Sequence, residues 1–219
     1  MRSRDREIAG LFLRHRPGVV QFWLVQQLLA PVIFSQYYYT AIERFDRDNG
    51  ERWVGYTRWL GRTDLMRIVT LDSILCPPVV HVESSEDWEF VAQEEFMLDF
   101  FTNLDFVLRR VSSHRPSMVV AVARDPSPAE VSDFPHPDFE FVGFDVVDTQ
   151  FIASVLLNGD RFPGVFKVSE LSLESGLIRS RERAFRIRDT LRRCFPDRDE
   201  AKCHVWAIWR YTGNTDRGA

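Results

Sequence analysis

Phe139-Glu140-Phe141-Val142-Gly143-Phe144-Asp145-Val146-Val147-Asp148 and His204-Val205-Trp206-Ala207-Ile208-Trp209-Arg210 are the two stretches that decide the fold. Both alternate as strands do. In the first, Val142, Phe144 and Val146 fall on one face and Phe139, Phe141 and Val147 on the other, which predicts a strand covered on both sides. In the second, Trp206 and Trp209 fall on opposite faces, which fits a central strand better than an edge. Between them Ser180 is placed to cap a helix over 180–195, with Ala184, Ile187, Leu191, Cys194 and Phe195 at helical spacing. Pro196 stops it, because the residue before a proline is pushed out of the helical region. The intervening segment 149–179 is long and irregular, so a parallel pair does not follow from the strand–helix–strand order.

Working outward, Met118 to Ala123 is a continuous apolar, β-prone run and reads as a buried strand. Trp53 to Leu60 and Arg67 to Asp72 read as further strands, with Gly61-Arg62-Thr63-Asp64 as a turn between them. Asn49-Gly50 marks a hairpin turn or a helix-to-strand joint. Met97, Phe100, Phe101, Leu104, Val107, Leu108 and Val111 give the inward side of a helix over 96–113. Residues 5–16 and 20–30 hold helical patterns interrupted by Pro17-Gly18 and Pro31. From Val32, residues Phe34, Tyr38, Ala41, Ile42 and Phe45 continue at helical spacing. The expectation is one α+β domain over 1–219, with a mixed or mainly antiparallel sheet packed with helices. Residues 1–50 would be mainly helical, 53–211 the sheet-containing core and 212–219 a frayed tail.

Composition narrows the function classes. Hydrophobic residues make up 45% of the 219 and aromatics 13%, including 18 Phe and 6 Trp, enough for a packed core. A net charge of −4 disfavours a dedicated nucleic-acid binder, which needs a basic balance. The apolar region Val19 to Phe34 contains Gln21, Gln26, Gln27 and Pro31 and falls short of a membrane span. Cys76, Cys194 and Cys203 are odd in number, widely spaced and without C-x-x-C spacing, which points to a reducing, cytoplasmic setting. No phosphate-binding glycine loop, nucleophile elbow or H-E-x-x-H occurs, and no cofactor is implied.

Two surface features are candidates for contact with a protein partner. Tyr37, Tyr38 and Tyr39 are three consecutive rings that a helix cannot fully bury. The acidic run from His81 to Glu95 includes Glu83, Glu86, Asp87 and Glu89 and suits a basic partner. Asp145 and Asp148, joined by Asp138 or His136, form an alternative: carboxylates at a strand end that would hold a divalent cation for a nuclease or hydrolase.

The order Phe141-Val142-Gly143-Phe144-Asp145-Val146-Val147-Asp148, Ala153 to Asn158, Glu170 to Leu177 and Cys203 to Trp209 resembles a poorly characterised group of bacterial proteins associated with immunity to secreted toxins. The resemblance covers the C-terminal third firmly and residues 53–148 loosely. Members of that group tend to carry a cysteine after Asn158, where this chain has Gly159. The resemblance implies a stoichiometric inhibitor that binds a cognate protein toxin and blocks its active site. A third class, an interaction subunit of a phage-defence or signalling complex, also fits these residues. The oligomeric state is open.

Overall fold

The computed structural model of the chain describes residues 37–93, 97, 99–111, 116–151, 153–158 and 162–213. Every element below lies within one compact unit, 35–219. The helices expected over 5–16 and 20–30 lie outside the described residues. So do Glu94 and Glu95, residues 96, 98, 112 and 113 of the expected 96–113 helix and the tail from 214.

The fold is α+β. Strands β1 (Tyr38–Glu43), β4 (Ser117–Arg124), β5 (Phe139–Val147) and β6 (His204–Tyr211) form one sheet in the order β1-β4-β6-β5, every pair antiparallel. Strands β2 (Phe45–Asp46) and β3 (Arg67–Ile68) make a small second sheet. Helices α1 (Glu51–Leu60), α2 (Leu104–Arg110), α3 (Pro128–Ser132) and α4 (Arg181–Cys194) are the α-helices among the described residues. Strand β6 lies inside the sheet, as its two tryptophans require. The ring of Trp206 lies against Phe100 and Phe151 and that of Trp209 against Phe134, Tyr37 and Phe141, and both indoles are buried. Helix α4 begins where Ser180 accepts the Arg183 N–H and buries Ala184, Ile187 and Leu191.

A bulge between Phe141 and Gly143 changes the facing of β5. Simple alternation separates Phe141 from Phe144. The bulge instead sets both rings on the Trp209 face, with centroids 5.1 Å apart. Gly143 is required there: φ is 149°, and a Cβ would come within 2.8 Å of Leu177 Cβ and 3.0 Å of the Ile178 carbonyl.

Both edges of the sheet carry loop segments. Tyr39 and Phe101 exchange backbone hydrogen bonds, and Val79 N–H donates to Ala41 O on the same edge. On the β5 edge Phe144 exchanges a pair with Ile178, and Val155 N–H donates to Val146 O.

Four expectations are corrected. Tyr37 to Tyr39 do not lie on a helix; Tyr38 opens β1, whose residues are buried on both faces, a pattern that a β-prone Tyr-Tyr-Thr-Ala-Ile run satisfies better than a helix. This also moves the start of the sheet-containing core forward from 53. Trp53 to Leu60 form α1 rather than a strand: Trp53, Thr57 and Leu60 make one buried stripe, and Gly61 closes the helix at φ 75°. The helix expected from 96 starts only at Leu104, because the Asn103 side chain caps it, and Phe101 is drawn into backbone pairing with Tyr39 and Val91. Of 67–72 only Arg67–Ile68 is strand; the rest is used by buried carboxylates described next.

Candidate functional site

The acidic run is built around one tight turn. Ser85–Glu89 is a single 3₁₀ turn. Asp87 is buried inside it and accepts the N–H groups of Glu83 and Ser84 at 2.8 and 3.1 Å, while Arg110 of α2 donates to its other oxygen at 2.8 Å. The N–H groups, then Arg110, hold the Asp87 carboxyl below the usual carboxylate range. Arg110 also pairs with Glu83. Asp87 is therefore the clamp of the turn and not a contact residue, which corrects one expected site residue. Glu86 and Glu89 are exposed, and between them stands Trp88, 51% exposed. An indole exposed between exposed acids is unusual, since such rings are normally at least half buried.

The tyrosine run offers no comparable surface. Tyr38 and Tyr39 are buried, and the Tyr39 hydroxyl lies 2.7 Å from His136 Nε2. Half-buried Tyr37 donates to Glu130 O at 2.9 Å. All three rings are committed to the fold.

The acids of the alternative metal reading are spent on structure. Asp145 is fully buried. Its Oδ2 accepts from Thr70 Oγ1 (2.6 Å) and Leu71 N (3.2 Å), and its Oδ1 from Ser154 Oγ (2.6 Å) and Val146 N (2.8 Å). Burial pushes its pKa up, against the pull of those four bonds. Asp72, also buried, accepts from Ile74, Leu75 and Ser154 N–H groups. Asp148 accepts from Gln150 N (2.8 Å) and Ala153 N (3.0 Å). Asp138 is exposed, and its carbonyl holds Thr212. Among the described residues no three His, Cys, Asp or Glu side chains gather as a metal site.

Asp72 and Asp148 instead help shape a cavity of about 100 Å³ beside β1. Asp72 fixes the 73–76 turn and Asp148 fixes Gln150 and Phe151 as its walls. Phe151 is held at φ 56°, a left-handed conformation that costs a non-glycine residue about 1–2 kcal/mol. Burial pushes the Cys76 thiol upward and that of Cys203 up to about 12, so neither is a ready thiolate. Among the described residues, two buried polar side-chain atoms, Thr40 Oγ1 and Trp206 Nε1, have no hydrogen-bond partner.

A further cluster sits where β4 ends. Asp125, at φ 44°, accepts from His204 Nδ1 (2.6 Å), Arg188 (2.9 Å) and Val205 N (3.0 Å). Burial works against this carboxylate, but the His204 and Val205 hydrogen bonds and the Arg188 charge outweigh it, and its pKa is lowered. A lowered folded-state pKa contributes stability above the unfolded value and loses it as pH falls through the folded one. Asp125→Asn keeps a residue that tolerates the left-handed backbone. It is expected to cost about 2 kcal/mol at neutral pH, the scale of hydrogen bonds to charged groups. Urea melts across the acid limb, below about pH 4 where free carboxyls protonate, should show a shallower pH dependence than the parent. An unchanged slope would remove Asp125 from the acid response.

Comparison with protein-family models, with curated proteins and with solved structures finds no match. Among the described residues no helix is long and apolar enough to cross a membrane. The residues that sequence reasoning missed are Trp88 and the Thr70–Asp72–Ser154 set. Trp88 had a signal, a lone ring in Glu86-Asp87-Trp88-Glu89. The Asp145 partners had none, lying 75 and 9 positions away in irregular chain.

Proposed function

We propose that this chain is a stoichiometric protein binder of the immunity type, which holds a cognate bacterial toxin in the cytoplasm through the turn at Ser85–Glu89. The observation that carries the reading is Trp88: a half-exposed indole flanked by exposed Glu86 and Glu89, on a turn clamped from within by Asp87. A rigid tryptophan supplies anchoring area at low entropic cost, and its flanking acids select a basic partner and speed encounter. The free cysteines suit a reducing compartment. The resemblance of the C-terminal segments to immunity proteins supports the toxin as the partner. The divalent-metal nuclease reading has less support, since both oxygens of Asp145 are already filled by protein donors.

The test is co-expression with the product of the adjacent gene. The expected result is rescue from toxicity and a one-to-one complex. Trp88→Ala should weaken that complex by about 2 kcal/mol, close to thirtyfold. Glu86→Lys with Glu89→Lys should slow association and flatten its salt dependence, because the steering field is screened over about 8 Å at physiological ionic strength. Wild-type affinity in Trp88→Ala would sink the reading of this turn. A stable complex with a harmless neighbour would favour the interaction subunit of a phage-defence or signalling complex instead.

A further inference from the structure

We propose that Asp72 and Asp145 hold one proton between them at pH values where exposed aspartates hold none, and that its loss unlatches residues 70–76 and 154–155 from β5. The two carboxyls share one scaffold. Ser154 donates its N–H to Asp72 Oδ2 at 3.0 Å and its hydroxyl to Asp145 Oδ1 at 2.6 Å. Thr70 donates its hydroxyl to Asp145 Oδ2 at 2.6 Å and accepts the Asp72 N–H at 3.0 Å. Asp145 is 0% exposed and Asp72 4%.

No cation answers them. Among the described residues neither carboxyl has an ion-pair partner, whereas Asp87 meets Arg110 and Asp125 meets Arg188. The titratable groups around them are Tyr56 and Arg52 of α1, Cys76 and Asp148. The Tyr56 hydroxyl donates to Leu157 O, Arg52 donates to Ile74 O and lies over the Phe45 ring, and burial keeps the Cys76 thiol neutral. From the sheet, Arg124 of β4 stands in register with Asp145 across Trp206, two strand spacings or about 10 Å away. His204 of β6 is taken by Asp125. Two carboxylates bridged by one serine in a low-dielectric interior repel, and burial disfavours the charge on each. Burial accordingly raises the pKa of both, and the Asp148 charge adds to the rise at Asp72.

The scaffold suits a stored proton. The two shortest bonds of Asp145 go to hydroxyls, which accept as well as donate, so a neutral carboxyl keeps a partner there. Loss of the proton sets two like charges against Thr70 and Ser154. Asp72 holds the turn through the Ile74 and Leu75 N–H groups, and Val155 N–H pairs with Val146 O of β5. A carboxyl whose pKa is raised on folding contributes stability that is full below the unfolded value and lost as pH rises through the folded one, the reverse of Asp125.

The test is a pH titration of the full chain with aspartate labelled by carbon-13 at the side-chain carboxyl. At about pH 6, well above the value near 4 of an exposed aspartate, one carboxyl of the pair should keep the shift of a neutral acid. Both resonances should then move together as the proton leaves, as coupled groups do. Over the same range amide hydrogen exchange at Leu71, Ile74, Leu75 and Ser154 should rise more steeply with pH than at Val122 and Ile208 in the sheet. Asp72→Asn should lower the midpoint of the Asp145 titration, because the repelling charge is gone. Two fully ionised carboxyls at about pH 6, an Asp145 midpoint unchanged in Asp72→Asn, or parallel exchange at the two sets of amides overturns the proposal. If Asp72→Asn does not fold, the titration and exchange of the parent decide by themselves. The Trp88 turn is tested by separate variants, so either reading can fail alone.

Discussion

Trp206→Ala is expected to destabilise the protein by about 4 kcal/mol, within the range for tryptophan truncation in a core. The ring lies against Phe100 at 6.0 Å and Phe151 at 5.2 Å, on the inner strand of the sheet. Those two rings belong to loops anchored by backbone hydrogen bonds, Phe151 through Asp148 and Ser73, Phe100 through Met97 and Ala92. They cannot collapse into the space without giving those up, so relaxation is limited and the cavity term stays large. One term runs the other way: the indole N–H is buried without a partner among the described residues, and its removal recovers a little. Trp206→Phe, which removes that donor and keeps most of the ring contact, should therefore cost much less. Urea midpoints at constant slope provide the measurement, and a loss below about 1 kcal/mol for the alanine variant would contradict the packing described.

Asp145→Asn should cost about 3 kcal/mol, although the change is nearly isosteric. Each carboxyl oxygen of Asp145 accepts one backbone N–H, from Leu71 on Oδ2 and from Val146 on Oδ1. Whether ionised or protonated, both oxygens retain a lone pair for these donors. An amide does not: whichever way Asn is flipped, its NH₂ meets one of the two N–H groups and leaves it unpaired. The hydroxyls are more forgiving, because Thr70 and Ser154 can rotate. Thr70→Val and Ser154→Ala should each lose about 1 kcal/mol. Equal stability of Asp145→Asn and the parent would mean that this carboxylate does not organise residues 70–72 and 154.

What was legible in the sequence follows from period and locality. Strands β4, β5 and β6 and helix α4 repeat their apolar pattern over eight to fourteen residues, and each appears where the pattern lies. The errors fall where the pattern was short or served two periods. Trp53, Val54, Tyr56 and Trp59 favour a strand by residue type, yet Trp53, Thr57 and Leu60 favour a helix by spacing, and the bracketing glycines decided it. In Tyr37 to Phe45, buried residues on both faces of a strand imitate helical spacing. The candidate site was legible in charge but not in anchor: the acids of 83–89 were evident, whereas Asp87 is clamped by Arg110 arriving from α2 and the exposure of Trp88 emerges only in the folded turn. The cavity was not legible at all, because β1, residues 73–78, Asp99 with Phe100, and residues 150–151 meet only in the folded chain.

The loop segments bonded to the outer strands restrict how this molecule can be recognised. An exposed strand invites another chain to add itself, whether a peptide ligand or a second copy nucleating an aggregate. Here Phe101 and residues 77–79 occupy β1, while Ile178 and residues 154–155 occupy β5 from Phe144 onward. The backbone along those stretches has little left to offer an incoming strand. Selectivity for any partner must then reside in side chains, so surface substitutions should alter specificity while leaving the sheet intact, and partner preference can drift between related chains without endangering the fold.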